Sequence, residues 1–337
     1  MKNHVLSLVL FAFCVLVMIS CNKNNDEIKN TTGTSIYVAG FETNTAKIEV
    51  AKYWKNGVAT SLSDGKTDAE ATSIFVSGTD VLVAGHEGDG LFNQTALYWK
   101  NGKATYLTDG TYFADATSIY SDGKDVYVAG YEKNAVKKYI AKYWKNGVPV
   151  SLNDGTIDAQ AYSVFVSGND IYVAGTETNS ENKCTVKYWK NGTPVNLYSE
   201  QENGVYTHKV SIYVSGSDVY VASDFGKYWK NGVAVDLSNC DDIGSIFVNG
   251  NDVYVSGRNK FTGEGNAKMR YWKNGVETLL SPFRDVTEPG SIYVYNDTVY
   301  VAGSQNDLAR YWKNNNEEIV VGNSNNYSGA SSIFVCK

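Results

Sequence analysis

The five residues Tyr-Trp-Lys-Asn-Gly begin at Tyr53, Tyr98, Tyr143, Tyr188, Tyr228 and Tyr271, and a seventh copy at Tyr311 ends in Asn315 instead of Gly. All seven tryptophans sit in these copies, spaced 45, 45, 45, 40, 43 and 40 residues apart. A period of this length is that of a four-stranded propeller blade. One unit, Thr72 to Gly110, holds four short runs between turn residues: SIFVSG, DVLVAG, TALYWK and KATYL, here strands a, b, c and d.

Asn-Gly at the end of a strand is a hairpin signal, because a type I′ turn needs positive φ at both central residues. Each copy therefore closes strand c onto strand d. Tyr and Trp are adjacent in strand c and point to opposite faces. Both faces are apolar, as they must be when a blade is sandwiched between neighbours, so the Trp series is read as inter-blade packing and not as a sugar-stacking surface.

The ring also shows how it closes. The run SIYVAG at Ser35 precedes the first AKYWKNG at the distance of a strand b, so the chain enters blade 1 there. Strand a runs begin at Ser73, Ser118, Ser163, Ser211, Ser245 and Ser291, and a seventh, SIFVCK, ends the chain from Ser332. Pairing that last run with blade 1 cancels two open edges. The expected fold is all-β: seven four-stranded antiparallel blades spanning residues 34–337.

The N-terminus reads as a signal peptide over residues 1–20, with basic MKNH before the apolar run Val5 to Ile19. Met18-Ile19-Ser20-Cys21 is similar to a bacterial lipobox, which implies lipidation of Cys21 and a tether over 21–33. Lys23, Asp26 and Glu27 resemble the charged tags that send Bacteroidetes lipoproteins to the cell surface. Repeats built from SIFVSGTDVLVAG and AKYWKNG resemble those of uncharacterised Bacteroidetes lipoproteins forming seven-bladed propellers. That resemblance implies the architecture and an outer-membrane lipoprotein, periplasmic or surface-exposed. It brings no activity.

Removing residues 1–20 takes one Lys from 30 basic residues, leaving 29 against 36 acidic, a net charge of about −7. Nucleic acid is an unsuitable partner for such a surface. Cys184, Cys240 and Cys336 permit one disulfide at most, and no zinc spacing, P-loop, HExxH or nucleophile elbow occurs, so no metal or cofactor is expected. SDG, TDG and NDG at Ser63, Thr108 and Asn153 are turns that lack the ligand spacing of calcium loops.

Alternating strands put the a–b and c–d turns on one, uniform face and the b–c and d–a loops on the other, variable face, where binding is expected. The uniform face carries Lys55, Lys100, Lys145, Lys190, Lys230, Lys273 and Lys313, which Asp80, Asp125, Asp170, Asp218, Asp252 and Asp297 at the start of strand b should neutralise. On the variable face, Glu42, Glu87, Glu132 and Glu177 occupy equivalent positions after strand b. Asp224, Asn259 and Gln305 replace them in blades 5 to 7, with Arg258 nearby. Glu70, Asp115 and Gln160, each just before a strand a, add polar groups at the channel mouth. The expected site is this arc of carboxylates with Arg258, taking a cation, sugar or basic peptide.

Catalysis is not expected. His86 and His208 are the only histidines outside the signal and lie across the ring from one another, and no apolar pocket that would raise a carboxyl pKa is legible. The expectation is a lipid-anchored envelope protein binding a glycan or protein, with two alternatives: a glycoside hydrolase or lyase using variable-face carboxylates, and a non-catalytic scaffold of an outer-membrane complex.

Overall fold

The computed structural model describes residues 33–88, 93–201, 209–259, 267–281, 286–314 and 317–337. The signal peptide, Cys21, His208 and Asn315 lie outside them. The described residues form strands β1 (Ser35–Thr43) to β28 (Ser328–Cys336) and no helix. They make seven four-stranded antiparallel sheets, and β28 pairs with β1 to complete the first blade. Blade 2 is β4 (Asp68–Ser77), β5 (Asp80–Gly88), β6 (Gln94–Lys100) and β7 (Lys103–Tyr106).

The repeated pentapeptide has the expected geometry. Asn56, Asn101, Asn146, Asn191, Asn231 and Asn274 have φ of 50–52°, and each following Gly has φ of 81–83°. The Asn side chain does more than turn the chain. Asn101 Oδ1 accepts from Val81 N–H at 2.8 Å while its Nδ2 donates to Asp80 at 2.9 Å, and Lys100 pairs with the same Asp at 2.7 Å. The pairing recurs at Lys145–Asp125, Lys190–Asp170, Lys230–Asp218 and Lys273–Asp252, at 2.7–2.9 Å. Asp297 departs from it. Asn296 and Asp297 both take positive φ and form the turn itself, and Lys313 pairs instead with Glu317 at 3.2 Å.

Every Trp of the series is at most 3% exposed. Trp99 of blade 2 packs with Tyr37, Ala39 and Ala51 of blade 1, and Trp189 of blade 4 with Tyr127 and Ala129 of blade 3. Trp54 of blade 1 packs with Tyr300, Ala302 and Tyr311 of blade 7, so the core too runs around the ring. No disulfide forms among the described residues.

Two further rings lie on the innermost strands. Phe75, Tyr120, Phe165, Tyr213, Phe247, Tyr293 and Phe334 form a closed aromatic belt with centroids 4.7–5.0 Å apart, toward the uniform face. Just above it, the hydroxyl of each strand a serine accepts a backbone N–H of the next blade. Ile119 donates to Ser73, Val164 to Ser118, Ile212 to Ser163, Ile246 to Ser211, Ile292 to Ser245, Ile333 to Ser291 and Ile74 to Ser332, at 2.8–3.2 Å. These seven bonds join the blades across boundaries that no sheet ladder crosses.

Candidate functional site

Strand a begins earlier than the sequence pattern predicts. β4 starts at Asp68, so Glu70 lies on the strand and not before it, and Asp115 and Gln160 lie likewise on their own strands. The cause is a bulge. The register shifts between Ala71 and Ser73, leaving Thr72 unpaired, and shifts at the same place in blades 3 and 4. A bulge bends its strand and re-aims the side chains beyond it.

The Gly of each VAG run makes room for that bend. A Cβ on Gly85 would lie 2.0 Å from Glu70 O, and one on Gly130 or Gly175 would lie 2.0 Å from Asp115 O or Gln160 O. Blade 5 has Ser223 in this place, and its strands pair from Val210↔Ser223 to Ser215↔Asp218 without a shift. The repeated Gly was the sequence signal for the bulge.

Beyond the bulge a cavity of about 340 Å³ opens on the channel axis toward the variable face. The serine ring lines its floor, and Glu70, His86, Asp115, Tyr131, Tyr162, Lys209 and Glu288 line its wall. Glu70 and His86 are directly opposed on β4 and β5. His86 Nδ1 reaches into blade 3 and lies 3.0 Å from Asp115 Oδ1. Tyr131 donates to Asp115 Oδ2 at 3.3 Å, and Ser331 of blade 1 donates to Glu70 Oε1 at 2.9 Å. One polar row thus crosses three blades.

The electrostatics follow from this enclosure. Burial alone would lower the His86 pKa, but the Asp115 carboxylate, by charge and hydrogen bond, with Glu70 and Glu49 behind it, pushes it up to about 9. His86 is an imidazolium at neutral pH. Burial pushes the Glu70 carboxyl up against the pull of His86, and Glu288 adds to the rise. The Tyr131 hydroxyl is pushed well up by burial and then by Asp115. The site therefore holds a carboxyl with raised pKa, which the sequence did not reveal, because its enclosure is made by three blades.

Of the residues expected to form the site, the structure brings Glu70 and Asp115 to the cavity. Glu42, Glu87, Glu132 and Glu177 do not line it. Their side chains turn to their own blades: Glu42 pairs with Lys52 at 2.7 Å, Glu177 with Lys187 at 2.8 Å, and Glu132 with Lys142. Glu87, whose blade has Leu97 in place of that Lys, accepts from Tyr106 at 3.0 Å. The ten-residue Glu-to-Lys spacing was visible in the sequence and marks these pairs. Arg258 bonds Asp242 at 3.0 Å, and Lys209 stands 3.9 Å from the same carboxylate. Lys209, Glu288, Tyr131, Tyr162 and the serine floor were not anticipated as site residues, although Ser opens every strand a run.

The cavity offers donors and carboxyls but no metal centre: no group of three or more His, Cys, Asp or Glu among the described residues is arranged to hold an ion. No family model matches the chain, and no curated protein does. Solved structures do share its fold. A Mycobacterium tuberculosis puromycin-hydrolyzing peptidase superposes with a TM-score of 0.53 at 11% identity, over 84% of this chain and 53% of that one. A Pyrococcus horikoshii acylaminoacyl peptidase gives 0.49 at 10% identity over 86% and 51%, so this chain spans about half the length of either peptidase. A periplasmic gluconolactonase of Pseudomonas aeruginosa gives 0.49 at 13% identity over 90% and 99%. At such identities the likeness is one of fold. It nonetheless corrects the expectation that the chain is not an enzyme: the peptidase that superposes at 0.53 is one, and the fold gives no ground for setting catalysis aside.

Proposed function

We propose that the cavity binds a saccharide and that the protein presents it from a lipid anchor at the cell envelope, as an outer-membrane lipoprotein. The observation that carries the reading is the convergence of Glu70, His86 and Asp115, from two blades, on one cavity of small-ligand size. Hydroxyls, carboxyls and tyrosines fixed by one another are groups that pair with the many hydroxyls of a sugar. The place of Ser35 in the first blade supports the same reading. β1 starts at the end that pairs with the last residues of β28, on the uniform face, opposite the cavity mouth. A lipid on Cys21 would leave the mouth facing away from the membrane, toward arriving glycans.

Glu70 favours a second reading, in which the bound glycan is hydrolysed. A carboxyl whose pKa burial has raised can donate a proton to a leaving oxygen, with Asp115 as the second carboxyl of the pair. Calorimetric titration against a panel of mono- and oligosaccharides tests binding: saturable heat that disappears in Glu70→Gln and His86→Gln supports the site. Heat that persists in both variants, or none across the panel, overturns it. Release of reducing ends, abolished by Glu70→Gln, would show the hydrolytic reading.

A further inference from the structure

The serine ring is more than a fastening. Each hydroxyl oxygen already accepts a backbone N–H of the next blade, so what it has left to offer is its hydrogen. Ser291 gives that hydrogen to Ser332 at 3.3 Å. The other six hydroxyl hydrogens have no acceptor among the described residues, and Ser211 and Ser332 are only 7% exposed. Buried donors such as these two are costly to leave unmet, whereas Ser73, Ser118, Ser163 and Ser245 are partly exposed. They all line the floor of one cavity.

The wall adds donors of its own. His86 commits Nδ1 to Asp115, which leaves its Nε2–H for the cavity, and Lys209 stands on the opposite side with its side chain 41% exposed. Of the acceptors on the wall, both Asp115 oxygens are engaged by His86 and Tyr131 and one Glu70 oxygen by Ser331, while Glu288 is exposed. A ligand reaching the floor thus meets hydrogens and few free lone pairs.

We infer that the floor receives the oxyanion of the ligand, and that the saccharide is an acidic one carrying a carboxylate. This rests on the saccharide reading above and deepens it. A carboxylate fits better than a phosphate. The cations His86 and Lys209 face the carboxyl groups of Glu70, Asp115 and Glu288, so the lining has no surplus positive charge to meet a dianion.

The test is calorimetry at pH 7 with matched pairs, glucose against glucuronate and galactose against galacturonate, with glucose 1-phosphate and acetate as further arms. The uronate of at least one pair should bind about tenfold more tightly than its neutral partner, the gain of one charge-assisted contact. Lys209→Met should remove most of that advantage. Ser211→Ala should act in the same direction, with its melting curve read alongside to separate lost binding from lost folding.

Neutral sugars binding as well as uronates would overturn the carboxylate floor and leave the saccharide reading standing. Acetate binding as tightly as a uronate would keep the oxyanion floor and overturn the saccharide. Tighter binding of the sugar phosphate would overturn the choice of carboxylate, and no binding in any arm overturns both readings.

Discussion

Gly85→Ala isolates the contact on which the site depends. Gly85 does not adopt positive φ, so alanine meets no backbone objection, and such a change ordinarily stabilises a protein by about 0.4–1 kcal/mol through the unfolded chain. Here the added Cβ would lie 2.0 Å from Glu70 O, 3.0 Å from Glu70 C and 2.9 Å from Trp99 Cζ3. Two of those atoms are backbone and the third belongs to a ring buried between blades, so none can swing away. Overpacking of that kind costs about 1–3 kcal/mol, and the structure relieves it by pushing strand a off the bulge. The expected result is a net loss of about 2 kcal/mol in urea unfolding, with the His86 pKa falling as Glu70 is displaced. His86 titration followed by NMR reads the second effect. Ser223→Gly, in the blade without a bulge, is the control and should cost only about 0.5–1 kcal/mol, the entropy of glycine. A neutral or stabilising Gly85→Ala would refute the argument that the VAG glycine exists to seat the bulge.

Ser211→Ala strips the acceptor from the buried Ile246 N–H and should cost about 1–3 kcal/mol; a loss below about 0.5 kcal/mol in denaturant titration would mean that the ring bonds do not hold the blades together. Trp144→Ala removes a side chain 1% exposed and should cost about 3–5 kcal/mol by the same assay, near-neutral stability being incompatible with its inter-blade packing. The pH dependence has a definite sign. The folded His86 pKa of about 9 lies above the unfolded 6.5, so its contribution, at most about 3 kcal/mol, is complete below pH 6.5 and is lost as pH rises through 9. Glu70, also raised, acts in the same direction from a lower starting pH. Thermal unfolding should therefore weaken from pH 6 to pH 10, and His86→Gln should flatten the part between 6.5 and 9. Deleting residues 332–337 removes most of the pairing of β28 with β1 and should abolish cooperative unfolding, whereas a truncated protein with an unchanged transition would contradict the closure.

The readable parts of this protein are those encoded within one repeat. Asn-Gly after Tyr-Trp-Lys dictates a hairpin because only certain residues tolerate two successive positive φ values. The missing strand a at one end and the surplus one at the other dictate closure because open edges are unstable. The Asp–Lys pairs of the uniform face were legible for the same reason: both partners lie on neighbouring strands of one sheet, where register follows from the turn. The exception, Asp297, arose because Thr298 stands where the other blades have their Asp, which leaves Asp297 inside a turn of the same length.

The site was only half legible, because it is made between repeats. Glu70 and Asp115 could be placed near the channel by their position on the innermost strand. The ten-residue spacing marks the lysines to which Glu42, Glu132 and Glu177 turn on their own blades, but nothing local tells that His86 crosses to the next blade to meet Asp115. That outcome depends on how neighbouring blades are rotated against one another and on a bulge that one glycine permits. Local propensity and turn chemistry settled the count of blades, their hairpins and their order. Burial between blades decided which carboxyl is enclosed, which histidine stays charged and where the serine hydrogens converge, since desolvation and charge act through space and not along the chain.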